Sequence, residues 1–248
     1  MGCDIIKITD FLFKRKSFLC IFCDIHKPLY DADFHLSGLG MCKKCKSAIR
    51  TFPYTAMPVS TEHCRTVISV LPYDPIIRSS IKRFKFDNCP KYADIYGYLT
   101  NKYLDELNRG YSFRFTDMFD IIVPVPLSKE RLCERGYNQS QLICKNISEY
   151  HHIPEYDNAL LKLRDTAKQS LLEHKDRAEN VRNAYKADSD IVSGKRILLF
   201  DDIMTTGSTA DSCAAALYDA GAENVSILTL ANRPVYMHRN MMYNELFR

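Results

Sequence analysis

The spacing of the hydrophobic positions changes along the chain, and the changes divide it. From about Tyr73 to Leu107 apolar residues recur at helical intervals: Ile76, Ile77, Ile81 and Phe84 form one stripe, Tyr92, Ile95, Tyr96 and Leu99 a second. Asn88-Cys89-Pro90 separates the two predicted helices, because proline disfavours helix in the residue before it. After Asp117 short apolar runs alternate with helical stretches. FDIIVPVP, NALLKL, RILLFDD and VSILTLA read as strands, NQSQLICKNISEY and ADSCAAALYDAGA as helices. That alternation implies right-handed crossovers and an α/β fold whose largely parallel sheet is flanked by helices. Ligands of such sheets sit beyond the carboxyl ends of the strands.

Three segments follow: 1–58, a small cysteine-bearing module; 59–115, a helical connection; and 116–248, the α/β domain. With 46% hydrophobic and 26% charged residues, the chain has the composition of a globular protein rather than a disordered one. A net charge of +4 is too small to argue for nucleic acid by itself, so local patches must carry any such case. One patch, Lys82-Arg83-Phe84-Lys85-Phe86, mixes cations with aromatics as single-strand-binding surfaces do. Its simpler reading is an amphipathic helix with rings inward and lysines in water. Asp4, Lys7 and Asp10 interrupt the apolar residues of the N-terminus, which lacks the pattern of a signal peptide, and Ile6 spoils a myristoylation site. No apolar run reaches membrane-spanning length, so a cytoplasmic protein without membrane insertion is expected.

A reducing compartment makes disulfides unusual, and the ten cysteines need another explanation. Cys20 and Cys23, then Cys42 and Cys45, form two CxxC pairs with eighteen residues between them. This spacing suits a four-thiolate zinc site, and a bound ion supplies the folding free energy that so small a segment lacks. Unliganded thiols or a redox pair are the alternatives, though a redox pair would not need its twin. His26 and His35 lie between the pairs as further ligand candidates. Cys3, Cys64, Cys89, Cys133, Cys144 and Cys213 have no comparable spacing and read as ordinary thiols.

The stretch ILLFDDIMTTGST, Ile197 to Thr209, carries the most specific chemistry. Four apolar residues make a buried strand; Asp201 and Asp202 leave its carboxyl end as acceptors for vicinal hydroxyls or a hydrated Mg²⁺. Met204 to Thr209 then turn into a helix whose first N–H groups and dipole favour an anion. Thr205, Thr206, Ser208 and Thr209 add hydroxyls, and Gly207 permits close approach to a phosphate. Paired carboxylates would repel a bare phosphate, so a ribose 5-phosphate, with hydroxyls at one end and phosphate at the other, fits both halves. A capped helix start would explain Ser208 or Thr209 alone. No GxxxxGK[ST] or strand-linked GxGxxG is present.

These thirteen residues resemble the phosphoribosyl-pyrophosphate (PRPP) motif of type I phosphoribosyltransferases at every position. PVPLSKERLCERGYNQS, RDTAKQSLLEHKDRAENVRNAY and YDPIIRSSIKRFKF, behind the four-cysteine segment, extend the resemblance to the ComF family of competence-associated, phosphoribosyltransferase-like proteins. It covers the chain from Cys20 to Ala231. The resemblance implies a type I phosphoribosyltransferase-like sheet with an N-terminal zinc ribbon. PRPP would be held by Asp201, Asp202, Ile203, Met204, Thr205, Thr206, Gly207, Ser208 and Thr209, with Ser128, Lys129 and Arg131 of a pyrophosphate loop spanning Pro126 to Arg135. Asp201, Asp202 and Lys129 are the implied catalytic set, with structural Zn²⁺ and PRPP-associated Mg²⁺ as cofactors. Arg135, Asn138 and Gln139 match a signature, and Arg164, Gln169, Leu172, Arg177 and Asn180 a hood that would exclude water from an oxocarbenium-like centre.

Purine-salvage relatives carry an acid at the position of Thr205, and threonine cannot take a proton near neutral pH. Cys3 stands behind Gly2 and is not placed to act as an N-terminal glutaminase nucleophile. Two expectations remain. One is transfer or sensing of a phosphoribosyl group, with PRPP or a related ribose 5-phosphate as ligand. The other is a non-catalytic accessory protein that binds single-stranded DNA through the zinc module and basic helix, among DNA-uptake proteins.

Overall fold

The computed structural model describes residues 17–49, 62–64, 66–110, 114–163 and 184–232. Strands β1 (Ser17–Cys20) and β2 (Ile25–Pro28) pair antiparallel, as do β3 (Ala32–Leu36) and β4 (Leu39–Cys42). A short parallel pairing of β1 with β4 joins the two hairpins. The β3–β4 turn needs positive φ at both central residues, which Ser37 (51°) and Gly38 (83°) supply. Helix α1 (Lys43–Ala48) closes this module.

Next come β5 (Val67–Pro72), α2 (Pro75–Phe86) and α3 (Tyr92–Gly110). Asp74 caps α2 by accepting from the Ile77 amide at 2.8 Å, and Pro75 occupies its first turn. Both expected helices are present, but the 59–115 segment is not helical throughout. Val67 to Pro72 forms a strand because its apolar run is buried between the core and β10 (Asn224–Asn232), with which it pairs in parallel. Periodicity alone does not separate such a run from buried helix.

β10 pairs in turn with β9 (Arg196–Met204), and β9 with β6 (Ile121–Pro124), giving a four-stranded parallel sheet in the order β5-β10-β9-β6. The α/β expectation therefore holds. β9 shows why this sheet needs two covers. Leu198 and Phe200 join one cluster with Ile81, Phe84 and Tyr96; Ile197 and Leu199 join another with Cys213, Ala214 and Leu217 of α7 (Ser208–Asp219). Between β6 and β9 lie α4 (Lys129–Arg135), α5 (Gln139–His151), β7 (Leu160–Lys162), β8 (Tyr185–Ala187) and α6 (Ser189–Val192). NALLKL contains β7, as expected, yet β7 does not enter the parallel sheet. It pairs antiparallel with β8 as a separate two-stranded unit.

The N-terminal module shares the first cluster: Phe18, Ile21 and Met41 pack in one continuous core with α2, α3 and the sheet. Phe34 stacks on Tyr98 of α3 with ring centroids 4.0 Å apart. At the α3–α5 crossing, a Cβ on Gly97 would stand 2.5 Å from Asn146 Cβ. Alanine is favoured over glycine in helices by about 1 kcal/mol, but overpacking here costs about 1–3 kcal/mol. Gly97→Ala should therefore lower the urea midpoint; an unchanged or raised midpoint would refute the close crossing.

Asp120 and Arg196 fasten the starts of β6 and β9. The guanidinium donates to both carboxylate oxygens, at 2.7 and 3.2 Å, the Arg196 amide donates to Asp120 Oδ2 at 2.8 Å, and the Asp120 amide donates to the Arg196 carbonyl at 2.8 Å. The Arg196 side-chain bond holds Asp120 at about 2, below its ordinary 3.8. A depressed carboxylate contributes stability above its unfolded pKa that is lost as pH falls through its folded one. Asp120→Asn should thus be less stable than wild type at pH 7, with the gap closing between pH 4 and 2. A gap constant across that window, in urea melts, would show that the charge contributes nothing.

Candidate functional site

β6 pairs with β9 only as far as Phe200, so from Asp201 onward β9 is flanked by β10 alone, yet both aspartates are buried. Asp201 and Asp202 are 9% and 8% exposed. The Asp202 amide donates to Asp201 Oδ1 at 2.8 Å. Lys85 Nζ, from α2, reaches both carboxylate oxygens of Asp202 at 2.8 and 2.9 Å. Burial, and then the charge of Asp202, push Asp201 up to about 7, with Lys85 acting in the opposite direction.

Beyond the carboxylates, Met204 is buried in the core and Ile203 lines a cavity. Thr205 is exposed and lines a different groove. Gly207, at φ 81°, is the N-cap of α7 and, as glycine, offers no side-chain cap. Neither Ser208 nor Thr209 is thus spent as the cap, which keeps the first turn open to an anion. Thr206 Oγ1 and Ser208 Oγ lie 3.1 Å apart, and the Ser208 amide donates to Thr206 Oγ1 at 3.4 Å.

The segment after β6 was expected as a loop through Arg135, but from Lys129 onward it is helix α4. Ser128 caps it, accepting from the Arg131 amide, and Gly136 ends it at φ 77°. Lys129 is exposed at its first position and does not line the cavity. Arg131 and Arg135, later in the same helix, do. Asn138 caps α5 and donates to the Val125 carbonyl at 3.0 Å, tying this element to the end of β6.

Together these elements enclose a cavity of about 170 Å³. Lys85, Arg131, Arg135 and Lys162 meet Asp201 and Asp202 there, four cations against two acids, alongside Tyr185 and Thr209. Arg135 donates to Gln139 Oε1 at 3.0 Å, while Gln139 Nε2 is buried without a partner among the described residues. A buried donor left unmade is costly, and a ligand oxygen in this cavity would satisfy it. Lys85, Lys162 and Tyr185 were not expected here. Arg164, Gln169, Leu172, Arg177 and Asn180, the expected hood, lie outside the described residues.

A second cluster lies in the N-terminal module. The Sγ atoms of Cys20, Cys23, Cys42 and Cys45 all fall within 4.8 Å of one another, a set able to hold one tetrahedral ion. The Cys42 amide donates to Cys20 Sγ at 3.4 Å, a bond that favours the Cys20 thiolate, and the Cys45 amide donates to Cys42 Sγ at 3.5 Å. His26 and His35 are exposed, and neither belongs to the cluster.

The basic-aromatic patch on α2 is not the free surface expected of a nucleic-acid contact. Arg83 donates to the carbonyls of Ile21 and Phe22 at 2.7 and 3.1 Å, Phe84 is fully buried, and Lys85 is paired with Asp202. Only Lys82 and Phe86 of the five remain exposed. The simpler reading of rings inward and lysines in water holds for Phe84 and Lys82 but not for Lys85, which pairs with Asp202 in the cavity, or for Phe86, which is exposed. Among the described residues no helix is long and apolar enough to cross a membrane.

The fold and cavity define an α/β protein with a strand-end site suited to a hydroxylated anion. No family model matches the chain. Homology at low identity links it to ComF/ComFC-like proteins. Competence protein F of Haemophilus influenzae is 27% identical over 232 residues, 87% of this chain and 97% of that protein. DNA utilization protein YhgH of Escherichia coli K12 is 29% identical over 79% of this chain and 91% of its own length. Competence protein ComFC of Bacillus subtilis is 30% identical over 65% of this chain and 62% of its own. Among solved structures, the glutamine PRPP amidotransferase of B. subtilis matches weakly, at TM-score 0.34 and 24% identity over 45% of this chain. The match spans 22% of that structure's length. Leishmania donovani UMP synthase gives a TM-score of 0.32 at 23% identity, over 55% of this chain and 22% of that one.

Proposed function

We propose that this chain is a phosphoribosyltransferase-like protein that binds PRPP, or a related ribose 5-phosphate, at the β9–α7 junction in a DNA-utilisation process. The observation that carries this reading is the convergence on one cavity of both motif aspartates, the start of α7 and four cations from three other elements. Asp201 and Asp202 accept from the ribose hydroxyls. Thr206, Ser208, Thr209 and the uncapped amides of α7 take the 5-phosphate. Arg131, Arg135 and Gln139 Nε2 orient the pyrophosphate, which leaves as charge develops at C1. The carboxylates of Asp201 and Asp202 are the groups that would hold Mg²⁺, and the ion would neutralise charge on the departing pyrophosphate. The low-identity relatives named for competence and DNA utilization supply the process.

Isothermal titration with PRPP and Mg²⁺ tests the site. Wild type should bind. Asp201→Asn combined with Asp202→Asn should weaken binding by roughly 100-fold, because hydrogen bonds to charged groups contribute about 1.5–3 kcal/mol each. Absence of heat with wild type, or equal affinity in a folded double variant, would overturn the assignment.

The four-cysteine cluster holds structural zinc on the same reading. Purified protein should carry one zinc per chain. Cys42→Ser should release it and lower the melting temperature, as expected where metal binding is part of folding. Metal-free protein with an unchanged melt would exclude this role.

A further inference from the structure

Lys85 is placed differently from the other cations on its face of α2. Arg78 and Lys82 are exposed and, with Thr205, line a separate concavity of about 630 Å³. The Lys85 ammonium instead lies 2.9 Å from Asp202 Oδ1 and 2.8 Å from Oδ2, and both side chains are largely buried. Asp201 Oδ1 accepts from the Asp202 amide at 2.8 Å. Three of the four oxygens of the acidic pair thus already have donors from the protein, in a cavity where Arg131, Arg135 and Lys162 add further positive charge. Mg²⁺ requires a near-octahedral set of oxygens and gives up its waters reluctantly. A free dication at Asp202 must displace an ammonium from both oxygens, against three more cations and with little screening.

Movement of the helix does not provide that displacement. Arg83 donates to the carbonyls of Ile21 and Phe22, and Phe84 is fully buried, so the two residues before Lys85 hold α2 in place. Only the lysine side chain is left to move, on its flexible four-carbon stem. A ligand with several phosphoryl oxygens offers the ammonium another anionic partner; a metal ion offers none.

We propose that Lys85 is a tethered counter-ion that fills the divalent-cation position of the free site, so that Asp202 becomes open to a metal only when a phosphorylated ligand takes over the ammonium. The proposal rests on the PRPP reading for the identity of that ligand. Exclusion of the free metal follows from the ion pair alone.

Mn²⁺, whose free aqua ion is counted by electron paramagnetic resonance, is the probe, used with the full chain. Without PRPP, wild type should leave the Mn²⁺ signal unchanged. Lys85→Met should gain a site roughly ten-fold or more tighter than any in wild type, because removing one buried partner leaves the carboxylate uncompensated. Lys85→Arg, which returns a cation to Asp202, should exclude Mn²⁺ again, a rescue that packing alone would not give. Asp202→Asn added to Lys85→Met should abolish the gained site, which separates it from Glu62, His63 and Asp211, a cluster that could also take a metal ion. With PRPP present, wild type should retain Mn²⁺ through ultrafiltration. Tight Mn²⁺ binding by wild type without PRPP, or no gain in folded Lys85→Met and Lys85→Gln, would overturn the proposal. So would PRPP that binds wild type without bringing Mn²⁺. If wild type binds no PRPP at all, the phosphoribosyl reading falls, and exclusion by Lys85 stands or falls on the PRPP-free arms.

Discussion

The site depends on one electrostatic constraint: two adjacent carboxylates are buried where β9 runs past its β6 neighbour and stays paired with β10. Asp201, Ile203 and Met204 stand in register with Thr229, Ala231 and Asn232, so the end of β9 cannot tilt into solvent without breaking that ladder. Asp201 and Asp202 must therefore be satisfied by protein or ligand. Isolated buried carboxylates cost several kcal/mol each, and the structure offsets this in two ways. Asp202 receives Lys85 on both oxygens. Asp201 accepts the Asp202 amide and has its proton affinity raised into the neutral range. Neither device fills the cavity.

Lys85 links this constraint to the N-terminal module. It shares α2 with Arg83, whose guanidinium donates to the carbonyls of Ile21 and Phe22 within the Cys20–Cys23 turn and pairs with Asp24 at 3.6 Å. Phe84, between them in sequence, lies in the core shared by the module and the sheet. Tyr137, two residues after the Arg135 that lines the cavity, donates to the Phe84 carbonyl. The helix therefore holds the cysteine cluster at one face and the acidic pair at the other. Loss of order at the cysteines would be felt at Asp202 through two residues of one rigid helix, without any wider rearrangement.

Features set by local pattern were legible in the sequence, and those set by long-range pairing were not. Strand β9, its acidic end, the glycine turn and the two CxxC pairs all announce themselves through spacing. Strand β5 did not, because a short, mostly apolar run beside helical segments carries no period that distinguishes strand from buried helix. The antiparallel partner of β7 lies more than twenty residues away, beyond a segment with no strand signal. Lys85 read as part of a solvent-facing basic patch, since nothing in its neighbours reveals a carboxylate more than a hundred residues later in the chain. Lys129 was expected in the catalytic set and Arg131 only in the pyrophosphate loop; the helical turn from the Ser128 cap leaves the first in solvent and directs the second to the cavity.

The same helix geometry bears on which ligands the two concavities accept. Arg78, Lys82 and Lys85 follow at intervals of four and three, so they lie along one face of α2. Lys85 enters the cavity beside Asp202, and Arg78 and Lys82 border the groove beyond Thr205. Lys85 is drawn inward by the carboxylate it meets, whereas Arg78 and Lys82, earlier on the same face, stay exposed. One helix face thus supplies a part-buried ion pair to one concavity and solvent-screened cations to the other. The first acts on a ligand at short range with little screening, while the attraction of the others falls away with added salt.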